Sequence, residues 1–517
     1  MTRTNRSLDA AVEMTTPCAL LAATLISACS SANPDQFVRP MAPIVALAHV
    51  RIIDGTGAAG KDDQTVIIKG GRIFALGDAM TVNVPTGAQT LDLHGRTVIP
   101  GLVGLHEHLF YQLEPGGTTS VVLAQRTFAR LYLASGVTTI RTAGTLDLDA
   151  DARIKRQIDT GKEPGPKIHL TGRYLQATTA APDPDGIAKQ VASDADSGAT
   201  SFKAYTTLRS SELKAAIAAA HARGLTITGH LCAVGFREAA GLGIDNLEHG
   251  IAVDSEFYSE KRLDECPDQG KTFGALLRMD PGDAHIRQTI DVLVRDGVAV
   301  TSTLAVFESY AIDESDIDPR VPVLMSARLR GTFQAARDWR TRQKTAGQSW
   351  WWSDVLRHEM AFERAFVGAG GKLLAGADPT GWGAIVAGYG DQRGLELLVS
   401  AGFTPEQAIA IATSNGARFL HDRTVGRVAE GLQADLVVLR GNPSRHISDV
   451  RNVELVFKDG VAYDPETLVA AAAGTLGEFT VERLFTWPFI LGLALVVLLV
   501  ARRVRRTARR RRALLAA

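Results

Sequence analysis

The chain has 517 residues, 45% apolar and 6% aromatic, a composition that excludes a disordered or fibrous protein and a length too great for one small core. Its 56 basic and 56 acidic residues balance only because eight Arg crowd the last sixteen positions. Without them 48 basic residues face 56 acidic ones, so no nucleic-acid partner is expected.

Residues 1–32 read as a targeting segment. Arg3 and Arg6 precede an apolar run from Cys18 to Ala28, and Ile26-Ser27-Ala28-Cys29 resembles the site at which bacterial lipoproteins are cut and acylated, which gives an N-terminal lipid as one reading beside a retained or cleaved signal peptide. Only Cys232 and Cys266 then remain. Two thiols build neither a disulfide framework nor a zinc knuckle, and they are read as a packed pair. Residues 44–100 form short strands with turn punctuation, IVALAHVRIID and TVIIKGGRIFALG, with Gly70-Gly71 at a hairpin. From 101 to 422 the rhythm changes to β-branched runs alternating with Ala-rich helical stretches, as in repeated βα units. Leu213–Arg223 is a run of strong helix formers closed by Gly224, and Thr404-Pro405-Glu406 starts another helix with a capping hydroxyl. Within this region, residues 255–370 are irregular and carry Trp350-Trp351-Trp352, read as aromatic packing in an insertion that could cover a site.

Strands return at 423–466, where VAEGLQADLVVLRG and VELVFKDGVAYD suit pairing with the N-terminal strands. Residues 484–501 are eighteen uncharged residues, about 27 Å as a helix at 1.5 Å per residue. The Arg-rich tail 502–517 follows. The positive-inside rule keeps such a tail cytoplasmic, so the sequence predicts a C-terminal transmembrane helix, a cell-membrane location and an extracytoplasmic catalytic region.

Candidate chemistry lies at the ends of the predicted barrel strands. VIPGLVGLHEH delivers His106 and His108 to one side of an extended chain, where two imidazoles grip one divalent metal. In TSFKAY, Lys203 ends an apolar run, where burial favours the neutral amine, which adds CO2 to become a carbamate able to bridge metals. LTITGHL, NLEHGI and KLLAGADPTG place His230, His249 and Asp378 at three further strand ends. Each alone is ordinary; six in this order are not. Tyr205 shares the face of Lys203, and Arg141 in TTIRTAG is a candidate clamp for a substrate carboxylate.

These motifs, with GVTTIRTAG and TPEQAIAIATSNGARFL, resemble the amidohydrolase superfamily, and within it the imidazolonepropionase-like branch that includes dipeptidases, over residues 44–465. The resemblance implies a distorted TIM (β/α)8 barrel flanked by a small β-sandwich made from both ends of the catalytic region. It further implies two divalent metals, zinc first: one held by His106, His108 and Asp378, the other by His230 and His249, with carboxylated Lys203 bridging and Asp378 catalytic as proton carrier. The implied activity is hydrolysis of an amide or peptide bond in a small substrate with a free carboxylate, such as an Xaa-amino-acid dipeptide or an N-acyl amino acid. A lactonase or phosphotriesterase-like hydrolase and an inactive membrane-anchored binding protein are the competing expectations. A homo-oligomer is compatible with either.

Overall fold

The computed structural model describes residues 33–112, 121–311, 318–345, 351–380, 384–477 and 502–503. Residues 34–477 pack as one unit. Its first layer follows from alternation. In β1 (Ile44–Ile52) Val45, Leu47, Val50 and Ile52 face one apolar core, and β2 (Lys61–Lys69) adds Val66 and Ile68 opposite them. The hairpin continues through Gly70-Gly71 into β3 (Arg72–Asp78), while β4 (Gln89–Asp92) and β5 (Arg96–Pro100) both run parallel to β1.

The chain then leaves this sheet for more than three hundred residues. Eight parallel strands follow: β6 (Leu102–Glu107), then, past the small hairpin of β7 (Phe110–Gln112) and β8 (Val121–Leu123), β9 (Val137–Thr142), β10 (Lys167–His169), β11 (Ser201–Ala204), β12 (Thr226–Gly229), β13 (Asn246–Glu248), β14 (Ala299–Ser302) and β15 (Leu373–Ala375). β6, β9 and β10 form one ladder and β11 to β15 another. Parallel bridges Thr171 to Ser201 and Leu175 to Ala204 join the two. At the other seam Asp378 N–H donates to His106 O at 3.0 Å, which closes the ring. Gly376 makes this closure fit, because a Cβ there would stand 2.4 Å from His106 Cβ. Strands buried on both faces, VTTIRT and SFKA among them, have the fully buried pattern of a barrel wall.

The last strands return to the first sheet. β16 (Leu436–Arg440) pairs antiparallel with β5, and β17 (Val453–Lys458) and β18 (Val461–Tyr463) extend that edge. The result is one eight-stranded sheet whose far strand β3 bonds back to the segment entering β16, Ile73 N–H to Leu432 O at 2.9 Å and Ala434 N–H to Gly71 O at 2.9 Å. It therefore curls around its own core of Val66, Leu436, Val438, Phe457 and their neighbours.

Two sequence expectations are corrected. The predicted C-terminal transmembrane helix, and the membrane anchorage and cell-membrane location built on it, are overturned by the finding that among the described residues no helix is long and apolar enough to cross a membrane. Hydropathy of a segment states only what it would cost to bury; residues 484–501 themselves, like the lipoprotein-like segment 1–32, lie outside the described residues. Cys232 and Cys266 are joined in a disulfide rather than merely packed, which ties the turn after His230 to the segment before the helix Gln269–Leu276. Sequence separation of 34 residues gave no hint of that proximity.

Candidate metal centre at the barrel mouth

The C-terminal ends of the barrel strands carry the reactive side chains. His106 lies on β6 and His108 one residue past it; Lys203 lies on β11; His230, His249 and Asp378 follow β12, β13 and β15. Backbone bonds seat each end against its neighbour: His230 N–H donates to Ala204 O at 3.0 Å and His249 N–H to Thr301 O at 3.1 Å. His249 (φ 67°) and Asp378 (φ 48°) both adopt left-handed backbone, which turns their side chains inward at a local cost.

All six predicted positions converge. His108 Nε2 is 3.1 Å and His106 Nε2 3.7 Å from Asp378 Oδ1, while His249 Nδ1 is 3.8 Å from Asp378 Oδ2. The His106 and His249 rings are 4.5 Å apart, and the His249 and His230 rings 4.3 Å. Lys203 is 1% exposed below them. His106, His108 and Asp378 present ligand atoms within 4.8 Å of one another, close enough to hold one ion.

Glu248 completes the set, and the sequence reading passed over it. Without solvent exposure, its Oε2 meets Lys203 Nζ and lies 2.6 Å from His106 Nδ1, and with His106 and His249 it forms a second group of metal-competent donors. The clue is in NLEHGI, where an acid stands inside an apolar strand.

Arg141 sits elsewhere than expected. Its guanidinium, 1% exposed, donates to Leu105 O at 2.7 Å, Ser201 Oγ at 3.2 Å, Thr228 Oγ1 at 2.6 Å and Glu248 Oε1 at 3.2 Å. With these bonds made inside the barrel it has no open face for a substrate carboxylate; burial lowers its pKa to about 9, still cationic at neutral pH. Tyr205 lies near the opening, its ring 5.3 Å from His230 and 4.9 Å from Tyr174. Trp351 and Trp352 pack with Phe273, and Trp352 with Tyr310 at 4.5 Å, so these two indoles serve packing; Trp350 lies outside the described residues.

Electrostatics suit a cation. Burial, then Lys203, drives the His106 ring well below its usual pKa and His230 to about 3, and burial with the neighbouring rings lowers His249, so the imidazoles are neutral. Burial and the neighbouring Arg141 likewise push Lys203 well below the usual lysine value. Burial alone would raise Asp378, but the neighbouring His106 side chain and the hydrogen bond from His108 outweigh it and hold the carboxylate ionised. Neutral imidazoles beside a carboxylate are the protonation states a metal requires. His108 Nδ1 is buried without a hydrogen-bond partner among the described residues, a cost that metal ligation at that atom would offset.

Comparison with known proteins agrees with this geometry. The amidohydrolase family model matches residues 97–462. An imidazolonepropionase of Streptomyces coelicolor is 24% identical over 405 residues, covering 76% of this chain and 90% of that protein. Among solved structures, an Xaa-Pro dipeptidase with methionine bound in its active site superposes with a TM-score of 0.61 at 20% identity, over 81% of this chain and all of that one. Molinate hydrolase superposes at 0.62 and 17% identity, over 86% of this chain and 99% of that one. With matched residues spanning most of the chain, the protein belongs to the amidohydrolase family, hydrolases that act on carbon–nitrogen bonds.

Proposed function

We propose that the protein hydrolyses the amide or peptide bond of a small substrate, as a dipeptidase or N-acyl amino acid hydrolase, using two divalent metals, zinc first, held at the barrel mouth. The observation that carries this reading is the convergence of four imidazoles, Lys203 and Asp378 on one buried point. The likeness to the structure of an Xaa-Pro dipeptidase supports the substrate class.

His106, His108 and Asp378 would hold the deeper metal and His230 with His249 the outer one. When bound, such metals lower the pKa of a shared water and polarise the scissile carbonyl. Glu248 fixes the His106 ring through Nδ1, leaving Nε2 turned toward Asp378. Asp378, ionised and beside His108, takes the proton of the attacking water and passes it to the leaving nitrogen. Lys203 has two fates: the ion pair with Glu248, or, once CO2 adds to its neutral amine, a carbamate that would supply oxygen ligands to the metals. Its depressed basicity supports the second. Tyr205, near the opening, lies where substrate enters; Arg141, bonded within the barrel, is withdrawn from substrate binding.

A panel of dipeptides and N-acyl amino acids, run beside lactones and phosphotriesters with the zinc-loaded protein, tests this. Amide turnover is the predicted result. Turnover of lactones or phosphotriesters alone would contradict it, because only amide cleavage demands protonation of a poor leaving amine.

A further inference from the structure

The helix Trp352–Gly368 sends two carboxyls inward one turn apart, Glu359 and Glu363, both without solvent exposure. Groups this polar persist in an interior only where partners offset their desolvation. Glu359 finds its partners just past His249. Its Oε2 accepts the Ala252 N–H at 2.9 Å, and the Ile251 N–H bonds to the same carboxyl.

That stretch of backbone is exceptional. His249 (φ 67°) and Gly250 (φ 63°) are consecutive left-handed residues, leading into the 3-10 turn Gly250–Val253. A Cβ on Gly250 would stand 1.6 Å from Glu359 Oε1, so the glycine and the glutamate fit each other and nothing larger. The imidazole itself is fixed from the other side, His249 Nδ1 lying 2.9 Å from Thr303 Oγ1. Two left-handed residues in succession do not hold themselves; something must bind the amides that follow.

We propose that Glu359 is a positioning residue for the metal centre: by accepting the Ile251 and Ala252 amides it holds the double left-handed turn that delivers the His249 imidazole to the barrel mouth. The role is acceptance of backbone hydrogen bonds, not charge. Burial and the adjacent Glu363 raise the Glu359 carboxyl well above its usual range, which makes glutamine its close counterpart in both shape and charge. The inference rests on the metal-centre reading above.

The test uses the full chain with the variants E359Q, E359D and E359A, measuring zinc affinity by chelator competition, the visible spectrum of the cobalt-substituted protein, and kcat and KM separately. E359Q is expected to keep two zinc ions, the wild-type cobalt spectrum and wild-type kcat. E359D, one methylene short of the amides, is expected to bind one of its two zinc ions about 10–100-fold more weakly, with an altered cobalt spectrum and a fall in kcat at nearly unchanged KM. E359A, where it folds, should go further in the same direction. Wild-type zinc affinity in E359D, or lost affinity in E359Q, would overturn the proposal. A wild-type chain that binds no zinc at all would instead sink the metal-centre reading, so the two failures are distinguishable.

Discussion

The curled sheet and the barrel mouth solve opposite problems with the same chain. In the sheet, β1, β2, β16 and β17 alternate apolar residues toward a closed core, and the edge strand β3 is tied back through Ile73 and Gly71. At the mouth, Lys203, Glu248, His106 and Arg141 are buried as deeply as any leucine, and His108 Nδ1 lacks a hydrogen-bond partner among the described residues. Interiors are ordinarily apolar or fully paired, so a cluster that breaks the rule marks where stability has been given up for chemistry. The sheet should therefore respond to mutation through stability, and the mouth through activity.

The largest contrast is expected at Lys203. K203A should lower kcat/KM by about a thousandfold or more, roughly 4 kcal/mol of barrier, and reduce bound metal. Next comes the polar floor. R141A deprives the buried Glu248 carboxyl of its guanidinium partner and should cost roughly 3–5 kcal/mol by denaturant titration, because removing one member of a buried ion pair leaves the other incompletely compensated. For the sheet itself, F457A removes a ring with no exposure and should cost about 3–5 kcal/mol while leaving kcat of the folded protein unchanged.

A smaller effect is set by pH. Burial raises Glu363 from 4.5 to about 8, so folding favours its protonated form: the stabilisation is complete below about pH 4.5 and is lost as pH rises through about 8. E363Q should therefore match wild type in acid and exceed it above pH 8 in urea titrations, the gap opening between about pH 4.5 and 8. A flat difference across pH would remove Glu363 from the list of buried acids that matter. The smallest effect belongs to the surface: Lys155 and Asp159 pair at 2.8 Å in open solvent on one helix face, and K155A should cost about 0.5 kcal/mol or less, vanishing in high salt.

Much of the mouth was legible because strand periodicity and motif order place His106, His108, Lys203, His230, His249 and Asp378 at strand ends without reference to tertiary detail. Sheet pairing between the two chain ends was likewise readable from alternating strands. What was not legible depends on neighbours distant in sequence. Arg141 looks like a substrate clamp until Leu105, Ser201, Thr228 and Glu248 surround it. Glu248 acquires meaning only beside Lys203 and His106, and the Cys232–Cys266 bond only from the way the loop after β13 folds back. The predicted transmembrane helix rested on the hydropathy of residues 484–501 and the Arg-rich tail after them, with no periodicity or partner to check it.

The most direct test of the central claim is elemental analysis of the purified chain before and after exhaustive chelation, with activity followed in parallel. The expected result is close to two divalent ions per chain, loss of amide hydrolysis on their removal and recovery on adding zinc. Full hydrolytic activity in the metal-stripped protein would contradict it.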